Sequence, residues 1–367
     1  MNIGIISEAL NHPLTGIGNY VNKLIDQQNK ILVPDDSLVL INYEKNYTFP
    51  NDEIIVSNII PFFKTFPWYL TLPDKLNSYK DLDIIHNPAQ VPTFFRFQCK
   101  NVITVHDITP LLFTKEHPLG VPAFFKLFLP NTLKHADLII SDSHNTKKDL
   151  IHHLNIPGNK IEVIPLAVDP IFNVISAAEV KVMKQKFHIP HPYILYLGTL
   201  EPRKNIPLLL KAFASVKKTE PLLKLLIVGG KGWKYSGIFD LVNSLGISKD
   251  VVFLGYVAKE DIPALYCGAE VFIYPSLYEG FGLPPLEAMA CGCPVIVSNS
   301  SSLPEVVQNA GLLIDPYNCS ELVVMIKKIL NDSSLRDDIR KMGLERAKFF
   351  SWEKTAELTY EAYEKTF

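Results

Sequence analysis

The stretch VFIYPSLYEGFGLPPLEAMACGCPVIVSNSSSLPEVV, residues 271–307, decides the fold. It opens on four apolar residues, 271–274, of the length and β-rich character of a strand buried on both faces. A loop follows, and a helix is expected to start near Pro284 or Pro285, because proline suits a helix's first turn. A turn of small residues leads into a second apolar run at 294–297. Strand, helix and strand in this order make a parallel pair with a crossover.

The unit recurs in both directions. In the first half, short apolar runs fall at 3–6, 37–41, 83–86, 101–105, 138–141 and 161–164. In the second they fall at 193–197, 223–228, 251–254, 271–274, 294–297 and 311–314. Helical patterns such as 207–218 separate them, so the expectation is α/β: two doubly wound, Rossmann-like sheets. The series restarts near Tyr193. The intervening stretch, 168–192, holds the X-Pro steps Asp169-Pro170, Ile189-Pro190 and His191-Pro192, which punctuate a chain. The expected domains are 1–170, an N-terminal Rossmann-like domain, and 171–345, a C-terminal Rossmann-like domain. Residues 346–367 read as a C-terminal helix that crosses back to the first domain.

Composition narrows the class. The chain has 367 residues, 47% hydrophobic and 20% charged, with a formal net charge of -2. That is an ordinary soluble α/β balance with no global basic field for nucleic acid. Five scattered cysteines, Cys99, Cys267, Cys291, Cys293 and Cys319, fit a reducing compartment and read as small buried residues. The start, MNIGIISEAL, has no signal-peptide pattern, and no run approaches the ~20 apolar residues of a membrane span. A cytoplasmic protein is expected, soluble or peripheral at the inner face of the membrane.

Four segments could carry chemistry. In the deciding stretch, Glu279 and Glu287 flank the loop Gly280-Phe281-Gly282-Leu283. Free amides at a helix start can bind a phosphate, and two carboxylates on either side can accept hydroxyls from one long ligand. The plainer alternative is a solvated loop charge at Glu279 and an N-terminal helix charge at Glu287. In YLGTLEPRKNIPLLLKAF, residues 196–213, Arg203 and Lys204 follow a strand end. They would neutralise a diphosphate, or else form a solvated basic pair. In TGIGNY, residues 15–20, Gly16 and Gly18 precede a helix, and backbone there could approach a phosphate or sugar. Val21 at the third glycine position and a long loop from the strand end argue against a dinucleotide turn. In VHDITP, residues 105–110, His106 stands at a strand's carboxyl end with Asp107 beside it to orient the ring. Gly230 could border a nucleotide. Ser141-Asp142-Ser143 reads as a helix cap. Asp81-Leu82-Asp83 imitates a metal-binding pair but precedes a strand, so no metal and no cofactor is expected.

Residues 275–307 resemble the donor-binding signature of the retaining glycosyltransferases of family 4, which have the GT-B fold. The resemblance covers nearly the whole chain and is strongest over 193–315. It implies two Rossmann-like domains facing across a cleft and transfer of a sugar from a nucleotide diphosphate donor. By resemblance Glu279 meets the donor sugar and Glu287 the ribose, while the loop amides meet sugar and phosphate. Lys204 matches a family lysine. Thr199 stands where many members carry arginine, so Arg203 becomes the substitute guanidinium. His106 falls near the reacting centre, the loop of Gly16 and Gly18 faces the donor, and Tyr256 and Val257 belong to a segment whose backbone meets the base. The variants resemble members that use GDP-mannose. The implied partners are the donor and a sugar, glycan or lipid-linked acceptor.

The aromatic-basic segments PFFKTFPWY (61–69), FFRF (94–97) and FFKLF (124–128) read either as core or as a peripheral membrane contact. Three rivals to a transferase stay open: a nucleotide-sugar epimerase or hydrolase of the same fold, a dinucleotide oxidoreductase, and an inactive scaffold.

Overall fold

The structure, a computed structural model, describes all residues except 12–15, 45–47, 57–71, 73, 78, 80, 91, 93–95, 190 and 191. The chain divides into two compact units: Met1–Leu166 with Ser351–Phe367, and Ala167–Phe350.

The first unit holds a parallel sheet of β1 (Asn2–Ile6), β2 (Ser37–Asn42), β3 (Glu53–Ile55), β4 (Ile84–Asn87), β5 (Lys100–Val105), β6 (Leu138–Ser141) and β7 (Ile161–Val163). Their spatial order is β3-β2-β1-β4-β5-β6-β7. β4 and β6 are buried along their whole length, as strands covered on both faces must be. Helices α1 (Gly16–Ile31), α2 (Val121–Lys134) and α3 (His144–Leu154) belong to this unit. Ser143 caps α3 by accepting from Thr146 N at 3.0 Å.

The second unit begins with α4 (Ala177–Lys186), entered through a Ser176–Glu179 capping box. Its sheet contains β8 (Tyr193–Leu197), β9 (Lys224–Val228), β10 (Val251–Gly255), β11 (Val271–Tyr274), β12 (Val295–Ser298) and β13 (Leu312–Ile314). All pairs are parallel, in the order β10-β9-β8-β11-β12-β13. Around it lie α5 (Ile206–Val216), α6 (Ser236–Ser244), α7 (Ile262–Cys267), α8 (Leu283–Ala290), α9 (Leu303–Val307), α10 (Cys319–Asn331) and α11 (Ser333–Ala347).

Each sheet therefore reverses its strand order once, between β1 and β4 and between β8 and β11. Ligands of open α/β sheets bind at the carboxyl ends of strands beside such a reversal. All twelve apolar runs are strands. β3 escaped the sequence reading because three residues, one of them Glu53, make no visible run.

The last helix, α12 (Trp352–Glu364), packs into the first unit. Ser351 caps it, Thr355 donates to the Pro165 carbonyl at 2.9 Å, and the Ala356 carbonyl accepts from Gln28 at 2.9 Å. Tyr363 bonds His86 of β4.

Candidate functional site

In the second unit, the turn after β8 and the loop after β11 meet at the strand reversal. Pro202–Lys204 forms one tight turn before α5, and it delivers Arg203 and Lys204 to Glu279. Lys204 Nζ lies 2.7 Å from Glu279 Oε1, and Arg203 Nη1 lies 3.0 Å from Oε2. Arg203 Nη2 also pairs with Glu201 at 2.7 Å. Lys204 donates further to the Tyr274 hydroxyl at 2.7 Å, and Ser276 Oγ donates to Glu279 at 2.5 Å. Glu201, Lys204 and Glu279 are 4%, 8% and 8% exposed. The solvated alternatives for Glu279 and for the basic pair thus do not hold.

Burial alone would push the Glu279 carboxyl up. The Arg203 guanidinium and the Lys204 ammonium outweigh it and hold the pKa at about 2. Burial lowers Lys204, and Glu279 restores part of that. Two cations face two carboxylates, so the resting cluster is balanced, and its cations can be shared with an arriving anion.

The loop after Glu279 is held by the serine run 300–302. Glu279 N donates to Ser301 Oγ at 2.8 Å, and Ser302 Oγ donates to the Glu279 and Phe281 carbonyls. Gly282 has φ 114°, a conformation other residues rarely adopt, and it turns the loop into α8. α8 begins at Leu283, one residue earlier than the prolines suggested. Pro284 and Pro285 have no N–H, so Gly282 and Leu283 carry the amide donors at this helix start.

Glu287 sits in the second turn of α8, not the first, so its charge is no N-terminal helix charge. It accepts from the Tyr266 hydroxyl at 3.1 Å. Burial raises its carboxyl, the Tyr266 bond and Lys259 offset part of that, and the pKa settles at about 7.

The neighbouring strand ends close against this region. Gly198 N donates to the Val228 carbonyl and Gly229 N to that of Gly255. A Cβ on Gly229 would lie 2.1 Å from the Gly198 carbonyl oxygen, so no side chain fits there. Gly230 faces open space. Tyr256 is 85% exposed at the end of β10, whereas Val257 is buried and offers backbone only.

The first unit presents a different set. Gly16 and Gly18 do not precede α1; they lie in its first turn, where unpaired amides tolerate glycine. His106, beyond β5, is held from both sides. Nδ1 lies 2.7 Å from Asp142 and Nε2 2.9 Å from the Pro88 carbonyl. Asp107 does not orient the ring: its carboxylate accepts from Thr109 N and Oγ1. Burial pulls His106 down, but Asp142, its hydrogen bond and the Pro88 carbonyl more than offset this and raise its pKa. The Ser141-Asp142-Ser143 reading holds only for Ser143, the cap.

Behind His106, the Tyr20 and His86 side chains both meet Thr104 Oγ1, at 3.1 and 2.8 Å, and His86 Nδ1 meets Tyr363 at 2.7 Å. Burial and the nearby His106 hold His86 neutral, with a pKa of about 3. Asp83 takes the Asn2 N–H at 2.8 Å, at the amino edge of the sheet.

The sequence reading missed Glu201, Tyr274, Ser276, Tyr266 and Asp142 as partners. The first two stand at or near strand ends, which is the usable signal. Tyr266 and Asp142 reach their partners only through tertiary packing. Of the aromatic-basic segments, 61–69 and Phe94 and Phe95 fall outside the described residues. Phe97 is core, and Phe125 packs against the core of the first unit.

Residues 180–346 match the family described as glycosyl transferases group 1, and residues 28–172 match glycosyltransferase family 4. The chain is 34% identical to the O-antigen chain mannosyltransferase B of Escherichia coli, over 99% of both chains. It belongs to the group 1 glycosyltransferases. Among solved structures, sucrose-phosphate synthase from Thermosynechococcus elongatus superposes with a TM-score of 0.77 at 23% identity, covering 99% of this chain and 98% of that one. Anabaena HepE in complex with UDP-glucose superposes with a TM-score of 0.79 at 18% identity, over 100% of both. These likenesses give the glycosyltransferase the GT-B fold. No described helix is long and apolar enough to cross a membrane.

Proposed function

We propose that this glycosyltransferase moves mannose from a nucleotide diphosphate donor, GDP-mannose by preference, to an acceptor hydroxyl of a growing cell-surface glycan, with retention and without a metal ion. The observation that carries the reading is the convergence of Arg203 and Lys204 on Glu279 at the strand reversal of the second unit. A mannosyltransferase relative matched over its whole length supports the sugar.

The chemistry follows from the cluster's charges. As the glycosidic bond breaks, negative charge grows on the diphosphate. Arg203, Lys204 and the Gly282 and Leu283 amides are fixed donors for it, with little reorganisation left to pay. Glu279, released in part from its cations, accepts a sugar hydroxyl as the ring flattens toward an oxocarbenium ion. Glu287 accepts from the ribose. The leaving diphosphate takes the acceptor proton on the face it has just left, which retains configuration. No protein base is assigned, and both His106 nitrogens are already engaged.

Transfer and hydrolysis assays with UDP-, GDP- and dTDP-sugars in EDTA, with and without glycan acceptors, test this. Mannose transfer from GDP-mannose is expected. Strict Mg²⁺ or Mn²⁺ dependence would overturn the metal-free reading. Acceptor-independent hydrolysis or epimerisation would favour the rival activities.

A membrane contact through α2 completes the proposal. Its Leu127 is 68% exposed, Leu119 just before it is fully exposed, and Lys126 and Lys134 lie alongside. Sedimentation with anionic vesicles at low salt, weakening as salt rises, is the expected result; no binding would end this part of the reading.

A further inference from the structure

We propose that Asp142 is a positioning residue for His106. It holds the ring as a doubly protonated imidazolium whose Nε2–H is committed to the Pro88 carbonyl. The inference rests on the reading above only in its kinetic readout.

Both groups that meet the ring are hydrogen-bond acceptors. Pro88 offers a carbonyl oxygen at 2.9 Å from Nε2, so that nitrogen must carry the proton. Asp142 offers Oδ2 at 2.7 Å from Nδ1, a charge-assisted length. A neutral imidazole has one N–H and would leave one of these contacts as lone pair against lone pair unless Asp142 took up the other proton; burial favours that protonated carboxyl, and the contact with His106 opposes it. Two N–H groups satisfy both.

The surroundings select the same state. Asp142 is 2% exposed, and its Oδ1 finds no hydrogen-bond partner among the described residues. A buried carboxylate with one idle oxygen leans on its other partner, which here is His106. Among the described residues, the remaining neighbours add no second cation. Asp107, on the segment leaving β5, adds negative charge. Tyr20 of α1 presents its ring at 84° to His106, with centroids 5.0 Å apart, and its phenol stays protonated because burial raises its pKa. His86 of β4 is neutral. His106 is therefore a fixed polar wall of the first unit and not a proton acceptor, and Asp142 sets its charge and its tilt.

The test is nitrogen NMR of the protein with ¹⁵N-labelled histidine, the His106 signals assigned by their loss in His106→Gln. In the wild type both ring nitrogens should resonate as N–H at pH 7. In Asp142→Asn and Asp142→Ala, Nδ1 should become a lone-pair nitrogen at pH 7, with the His106 titration at least about one pH unit lower. Transfer kinetics of Asp142→Asn should show kcat down about tenfold with donor KM unchanged, and the alkaline limb of the kcat profile shifted to lower pH. A wild-type Nδ1 that resonates as a lone pair at pH 7, or a titration unmoved in both variants, overturns the proposal. The NMR result does not depend on turnover. Absent transfer with every donor would therefore fault the proposed function and leave the Asp142–His106 assignment to its own data.

Discussion

The two sheets reverse strand order in the same way, yet their crevices are built from opposite chemistry. Beside β8 and β11 lie two cations and two carboxylates in direct contact: Glu201, Arg203, Lys204 and Glu279. Beside β1 and β4 lie uncharged hydroxyls and an imidazole: Tyr20, Thr104, His86 and Tyr363. Topology fixed where a ligand can sit in each unit; the side chains decide which ligand. A buried ion cluster is costly to desolvate, and an apolar packing of the same volume is often no less stable. Among the described residues the first unit buries a His106–Asp142 pair, whereas the second unit gathers two cations on neighbouring carboxylates, the arrangement suited to an anionic ligand. The neutral network costs less and serves to tie α12 and β4 together.

The largest expected effect comes from removing the cations. Arg203→Ala and Lys204→Ala should each lower kcat by on the order of 10² or more, since each removes a donor to developing charge. Wild-type kcat in both folded variants would erase the contrast between the units.

The two glutamates sharpen it. Glu287→Gln should weaken free nucleoside diphosphate about 10- to 150-fold, the worth of one charge-assisted bond to ribose. Glu279→Gln should leave that affinity nearly intact and lower kcat with the full donor. If both variants weaken the nucleotide equally, the division of labour is wrong. The ionised Glu287 is the better acceptor, and its pKa is about 7. Nucleotide affinity should therefore fall about tenfold from pH 8 to pH 6 in the wild type and stay flat in Glu287→Gln.

Acid should separate the units more gently. His86 titrates at about 3 when folded, below an ordinary histidine, so the unfolded chain binds the extra proton first. The stability it contributes is complete above about pH 6.5 and is lost as pH falls toward 3, by up to about 1.4 kcal/mol per unit. Glu279, depressed to about 2, begins to lose its share only below about pH 4.5. His106, with a raised pKa, keeps its share throughout that acid range. Calorimetric melting between pH 7 and 5 should thus destabilise the first unit before the second. Loss of the second unit first would contradict the neutral assignment of His86.

The legibility of the two units differs for a physical reason. In the second, all the charged residues of the cluster lie within two continuous segments at strand ends, 196–213 and 275–307, with Tyr274 just outside and Tyr266 brought in by packing. Arg203, Lys204 and Glu279 could be singled out, although not their mutual contacts. In the first, the network joins residues from β4, β5, α1 and α12, as far apart as His86 and Tyr363. No local pattern announces such a set. Asp142 looked like part of a cap because its neighbour Ser143 is one, and Asp107 looked like the partner of His106 because it is adjacent in sequence. A side chain next in sequence at a strand end points elsewhere. β3 was lost for want of length.

The central claim is that the second unit alone holds the donor's charged half. Calorimetric titration of a nucleoside diphosphate in EDTA, compared across wild type, Lys204→Gln and Thr104→Val, tests it most directly. Lys204→Gln should weaken binding about 10-fold or more, the worth of a charge-assisted contact, with Thr104→Val at the wild-type value. Unchanged affinity in Lys204→Gln, or a comparable loss in Thr104→Val, would contradict the account.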